Sequence, residues 1–280
     1  MSKRFRAFSF VDRITRSAPM HIEGEYTVPA HATRFPASLM AEAVGQLAAW
    51  CAMAELDFAW RPVAGLAGAT RYHQIVVPGQ TLRLEANIVR CDSEAVAYGG
   101  RASIDGRPAI ELVDCVGPML PMTDFDDPAA VRSDFETLCA QGAAPNRFSG
   151  APAPRLETTG HARGKRMTAT LQVPGVDEAP YFADHFPRRP VFPGTLLIDA
   201  LAGLAMQLAS EALPAGPPLM PTSISNVKIR TFTTPGTTLE LEVELLETEG
   251  ERARLKLEAR SGGKVVAKAQ IEVAPLMVAA

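Results

Sequence analysis

The chain repeats itself. Residues 35–48, FPASLMAEAVGQLA, lie over residues 192–205, FPGTLLIDALAGLA, with six of fourteen positions identical and Glu42 set on Asp199. Residues 76–85, VVPGQTLRLE, lie over 233–242, TTPGTTLELE, with six of ten identical. Both alignments use one offset of 157 residues, which also sets the SIDGR turn at 103–107 over RSGGK at 260–264. One register kept from Phe35 to Arg107 predicts two copies of a single module, because an internal repeat constrains architecture before any local pattern does. A chain of 280 residues has room for two medium domains. The copies are placed at 1–122 and 160–280, with a connector at 123–159.

Within each copy the order is leading strand material, one long helix, then consecutive strands. The sequence LELEVELLE alternates Leu239, Leu241, Val243 and Leu245 with glutamates, and RARLKLEAR and VVAKAQIEV alternate likewise around Gly262-Gly263. That pattern reads as an antiparallel meander with one wet face. Residues 37–53 and 195–209 are apolar nearly all round, and such a helix must be enclosed. The predicted class is therefore α+β: a curled antiparallel sheet wrapping a central helix, twice over. Joining the two sheets edge to edge would leave fewer strand edges exposed. In the connector, Asp127 as N-cap, Pro128 as first helical residue and Gly142 past the end bracket one short helix. Residues 142–154 then read as a spacer.

Composition excludes several classes. A net charge of −3 offers no clustered basic surface for nucleic acid. Cys51, Cys91, Cys115 and Cys139 lack paired spacing, so neither a metal site nor a disulfide framework is signalled. The basic N-terminus lacks the apolar run of a secretory signal, which makes a cytoplasmic location the expectation. No membrane span is expected, since each long apolar helix carries an ionisable residue in its first turns.

The stretch YFADHFPRRPVFPGTLLIDALAG, residues 181–203, sets His185 in a proline-rich loop and Asp199 in the helix that follows. HFPRRPVFPGTLLIDALAG resembles the signature of the FabA/FabZ-type 3-hydroxyacyl-[acyl-carrier-protein] dehydratases. FVDRIT at 10–15 and NVKIRTFTTPGTTLELEV at 226–243 resemble further parts of that family. The resemblance implies the hotdog fold, here as a tandem double hotdog. It also implies a site shared between two hotdogs, the histidine from one and the helix carboxylate from the other. Carried onto this chain, His185 faces Glu42, with Gln46 one turn further along the same helix. The converse pair sets Asp199 against Val28, so that site has lost its base, and Gly203 stands where the glutamine should be. The internal pair takes the place of the family's dimer and leaves further association of whole chains open. Arg188 departs from the family pattern, standing where a glycine is usual.

The implied activity is water elimination from a 3-hydroxyacyl thioester in fatty-acid or polyketide-like synthesis. The candidate catalytic residues are His185 as base, Glu42 as acid, the backbone N–H of Gly194 for the enolate oxygen, and Asp199. Gln46, Phe186, Pro193 and Arg188 are the candidate substrate contacts. The substrate would arrive on acyl carrier protein or coenzyme A through its phosphopantetheine arm, with no metal or organic cofactor. Two other readings keep the fold: an acyl thioesterase, and a non-catalytic acyl-binding subunit.

Overall fold

The computed structural model describes residues 7–143, 148–151, 153 and 155–275. The start of the basic N-terminus, residues 1–6, lies outside them, as do residues 144–147, 152 and 154 of the expected spacer. The first half supplies β1 (Arg13–Ala18), β2 (His21–Thr27), α1 (Ala37–Glu55), β3 (Trp60–Pro62), β4 (Leu66–Tyr72), β5 (Thr81–Cys91), β6 (Ala95–Ile104) and β7 (Arg107–Pro121). Helix α2 (Pro128–Ala140) follows. The second half supplies β8 (Leu156–Ala162), β9 (Arg166–Gln172), α3 (Gly194–Ala212), β10 (Leu219–Ile229), β11 (Thr238–Glu249), β12 (Arg252–Ser261) and β13 (Lys264–Pro275). Strand β8 thus begins inside the stretch read as connector.

Helices α1 and α3 begin and end 157 residues apart, as do β4 and the part of β10 that starts at Ser223. Neither helix contains an internal proline. Each buries residues around most of its circumference, Leu39, Met40, Val44 and Leu47 on α1 and Leu197, Leu201, Ala205 and Leu208 on α3. Burying each large aliphatic side chain is worth roughly 1.5–3 kcal/mol, which is why these helices sit inside their sheets. Both are long and apolar enough to cross a membrane by length and composition, yet over half of each is packed inside the protein.

The strands run in the order β1-β2-β5-β6-β7-β4-β10-β13-β12-β11-β9-β8, with β3 beside β7. Every pairing is antiparallel, giving the two curled sheets of a double hotdog. The halves meet through β4 and β10, where Leu66 pairs with Lys228 and Arg71 with Ser223. Those pairs exchange under the 157-residue offset, so the seam has the self-complementary form of a two-fold interface. On β11, Leu239, Leu241 and Val243 face in while Glu240 and Glu244 face out. Gly262 and Gly263 both take positive φ, 53° and 76°, and close the β12–β13 hairpin with the turn whose twist suits its strands.

The connector is more than a spacer. Asp127 caps α2 by accepting from the Ala129 N–H at 3.1 Å, and Val131 and Leu138 are buried. Further on, Phe148 is buried between Phe10 and Phe35 at centroid distances of 5.2 and 5.8 Å. Phe125 lies fully buried against Phe186 of the second half, 5.0 Å between centroids.

Candidate active site

The loop that carries His185 exists in the second half alone. Val28 N–H donates to the Gln80 carbonyl, and Val173 N–H donates likewise to Thr237. The Val28 carbonyl accepts from Gly79, as that of Val173 does from Gly236. Val28 is therefore the counterpart of Val173 and not of His185, which corrects the equivalence drawn from a constant offset. From there to the Phe-Pro start of the helix the first half has six residues, 29–34, and the second has eighteen, 174–191. The first half did not exchange a histidine for Val28; it lacks the segment on which a histidine would sit.

That longer loop is folded around short 3-10 turns at Val176–Glu178 and Pro180–Ala183. Phe186 takes φ 63°, a left-handed conformation that costs a bulky residue free energy and persists where neighbours over-determine it. Its neighbours are named: the Phe125 ring, and the Arg61 guanidinium 4.8 Å from the Phe186 centroid. The turn points His185 inward. Its Nδ1 lies 2.8 Å from the Val191 carbonyl oxygen. A carbonyl only accepts, so Nδ1 carries the proton and Nε2 keeps the lone pair. Burial holds the imidazole below its ordinary pKa of 6.5; the Glu42 charge and the Val191 bond oppose this, Arg61 adds to it, and Asp184 opposes it.

Glu42 lies in the second turn of α1. Its Oε1 accepts from Gln46 Nε2 at 3.0 Å, and its Oε2 accepts from the Thr195 hydroxyl at 2.7 Å. The orientation of Gln46 is fixed, since Oε1 accepts from the Phe10 N–H at 2.8 Å while Nε2 also donates to the Phe8 carbonyl at 3.0 Å. Both Nε2 hydrogens are therefore used, and Glu42 Oε1 is an acceptor in either protonation state. A proton on this carboxyl belongs to Oε2, the oxygen facing Thr195.

His185, Phe186, Glu42, Gln46, Gly194 and Thr195 line one cavity of about 280 Å³, whose wall continues through Ala48, Met53, Val63, Val96 and Val116. Gly194 opens α3, where backbone N–H groups have no helical partner and the helix dipole is positive. A Cβ there would meet only Ile229, at an ordinary 3.5 Å, so the protein's own packing does not require glycine.

Three sequence-named residues lie off the cavity wall. Pro193 is the buried N-cap of α3, its carbonyl accepting from Leu196 and Leu197. Arg188 anchors the loop to the connector: its N–H donates to Phe125, and Nη1 donates to the Thr123 and Asp126 carbonyls at 3.0 Å each. Asp199 forms an ion pair with Arg34, Nη2 to Oδ2 2.6 Å, and its side chain is only 12% exposed. Burial pushes the Asp199 carboxyl up and Arg34 pulls it back. Arg34 aligns with Val191 at the repeat offset, so a cation from the short loop occupies the surroundings of Asp199. Sequence reasoning did not find Arg34 or Arg61 as neighbours of these groups. Their partners lie far along the chain, and no local pattern signals them.

Comparison with known proteins bears on this arrangement. The family model described as ApeI-like dehydratase matches residues 160–270, the half that carries His185. The chain is 34% identical over 152 residues to the 3-hydroxyacyl-[acyl-carrier-protein] dehydratase FabZ of Zymomonas mobilis, covering 53% of this chain and 94% of that enzyme. A hot dog fold protein of unknown function from Alicyclobacillus acidocaldarius superposes with a TM-score of 0.55 over 97% of this chain and 98% of its own, at 12% identity. An acyl-ACP thioesterase from Bacteroides thetaiotaomicron gives 0.52 over 90% and 97%, at 11% identity. The structural likenesses carry the double hotdog fold; the sequence match carries more, and by it the chain belongs to the FabA/FabZ-type 3-hydroxyacyl-[acyl-carrier-protein] dehydratase family.

Proposed function

We propose that this chain eliminates water from 3-hydroxyacyl thioesters at one composite site built from both halves. The observation that supports this most is the shared cavity wall: an imidazole with Nε2 as its lone-pair nitrogen from one half, and a carboxyl fixed at both oxygens from the other. His185 Nε2 takes the α-proton, and the C–H electrons form the new double bond as the β-carbon–oxygen bond breaks. Protonated Glu42 delivers its Oε2 proton to the departing hydroxyl, which leaves as water. The Gly194 N–H meets the thioester oxygen as negative charge gathers there, and that contact strengthens toward the transition state. Once the product has left, transfer of a proton from imidazolium back to carboxylate restores both groups. The trans-2-enoyl thioester is the product.

The thioester would be carried on acyl carrier protein or coenzyme A, in fatty-acid or polyketide-like synthesis, and these steps call for no metal or organic cofactor. Asp199, paired with Arg34, takes no part. Arg188 holds the loop. The test supplies 3-hydroxyacyl-CoA and follows enoyl absorbance and free thiol together. Enoyl product without thiol is expected from the wild type, and His185→Ala should lose on the order of a thousandfold, as removal of a general base does. Thiol release without enoyl product would make the chain a thioesterase and refute the proposal.

A further inference from the structure

Residues 7–10 run along the wall of the cavity, where Phe8 and Ser9 line it, and touch the supports of both proposed reacting groups. At one end, Asp184 Oδ2 accepts from the backbone N–H of Ala7 at 2.6 Å and of Phe8 at 3.0 Å, with the Ser9 hydroxyl at 3.5 Å. At the other end, Gln46 grips the same segment through the Phe8 carbonyl and the Phe10 N–H, as a neighbouring strand would. Asp184 immediately precedes His185, and Gln46 donates to Glu42. In the middle, the Phe8 ring stands edge-on to the His185 ring, 5.3 Å between centroids, and is 3% exposed. A carboxylate accepting two successive backbone N–H groups makes charge-assisted bonds, stronger than neutral ones.

We propose that residues 7–10 are a strap that fixes His185 relative to Glu42 and keeps water from the imidazole, and that Asp184 is the positioning residue that fastens it. The inference rests on the dehydration reading for its consequence in rate, though not for the strap itself. The charged groups that face His185 are Glu42 from α1, Arg61 from β3 and Asp184 from its own loop; Phe8 and Phe186 supply the apolar contacts.

The test compares Asp184→Asn with Asp184→Ala in the full chain, by NMR titration of the His185 ring and by steady-state kinetics on 3-hydroxyoctanoyl-CoA. The asparagine oxygen still accepts from Ala7 and Phe8 but carries no charge to support the imidazolium, so the His185 pKa falls further. Alanine removes the charge and the fastening together; water then reaches the ring, and the pKa rises toward the ordinary value of about 6.5. Opposite signs are the expected result. With them, Asp184→Ala loses roughly tenfold to a hundredfold in kcat with KM changed less than about threefold, and Asp184→Asn stays within about threefold of wild type. Phe8→Ala, which leaves Asp184 in place, raises the His185 pKa as Asp184→Ala does. Shifts of the same sign in both Asp184 variants, or wild-type kcat in Asp184→Ala, would overturn the strap. Opposite shifts in a protein that forms no enoyl product would leave the strap standing and remove the dehydration reading.

Discussion

In the proposed reaction, one backbone carbonyl fits His185 to act as the base. The Val191 oxygen holds the Nδ1 proton, and burial holds the ring below its ordinary pKa. The sign of the pH dependence follows. In that proposal the neutral ring is the working form, and it is lost as pH falls through the lowered pKa. The acid limb of kcat/KM should therefore lie below pH 6.5, measured with a neutral-chain substrate across pH 4.5–8; a limb above 6.5 would contradict the burial of the ring. His185 and Glu42 were legible because each sits in a compact local motif. Arg34 and Asp184 were not, since their partners stand 165 and 177 residues away. Val28 was misassigned because a constant offset was carried through loops of six and eighteen residues.

At the scale of elements, the central helices announce themselves by being apolar nearly all round, and the strands by alternation. The close fit between α1 and its sheet is not written in either pattern. Gly100 on β6 marks it: a Cβ there would fall 2.5 Å from Val44 Cγ1 and 2.6 Å from the Glu85 carbonyl oxygen. Gly100→Ala should therefore force α1 away from β6 and cost about 1–3 kcal/mol, as overpacking does, read as a lower urea midpoint. An unchanged midpoint would mean that the helix seat is looser than the structure has it. The connector was legible only in part. Its helix was legible from Asp127 and Pro128, but residues 142–154 read as a spacer although Phe148 plugs the first half. Nothing signalled that Phe125 and Arg188 tie the connector to the His185 loop. Single buried aromatics leave no periodic trace.

The whole molecule is a nearly symmetric scaffold with an asymmetric use. The β4–β10 seam obeys the repeat, while the loops before the two helices do not: the longer loop brings an imidazole to the cavity beside Glu42, and the shorter one brings Arg34 into an ion pair with Asp199. Stability at this scale carries its own pH signature. Burial raises the Asp12 carboxyl from 3.8 to about 6, against the Thr27 N–H bond that lowers it and with Glu25 adding to the rise. Above pH 6 the fold holds a costly half-buried charge; as pH falls from 6 toward 4 the native state takes up a proton that the unfolded chain does not, and that cost disappears. Asp12→Asn should thus stabilise the protein by up to about 3 kcal/mol at pH 8 and by little at pH 4, compared through denaturant midpoints. Equal midpoints at pH 8 would count against a desolvated Asp12. The proposed composite site is tested most directly by exchanging one atom in each helix carboxylate. Rates of enoyl formation by Glu42→Gln and Asp199→Asn should separate by on the order of a thousandfold, with Glu42→Gln inactive and Asp199→Asn close to wild type. An active Glu42→Gln beside an inactive Asp199→Asn would place the chemistry at the other helix and contradict the cross-half pairing.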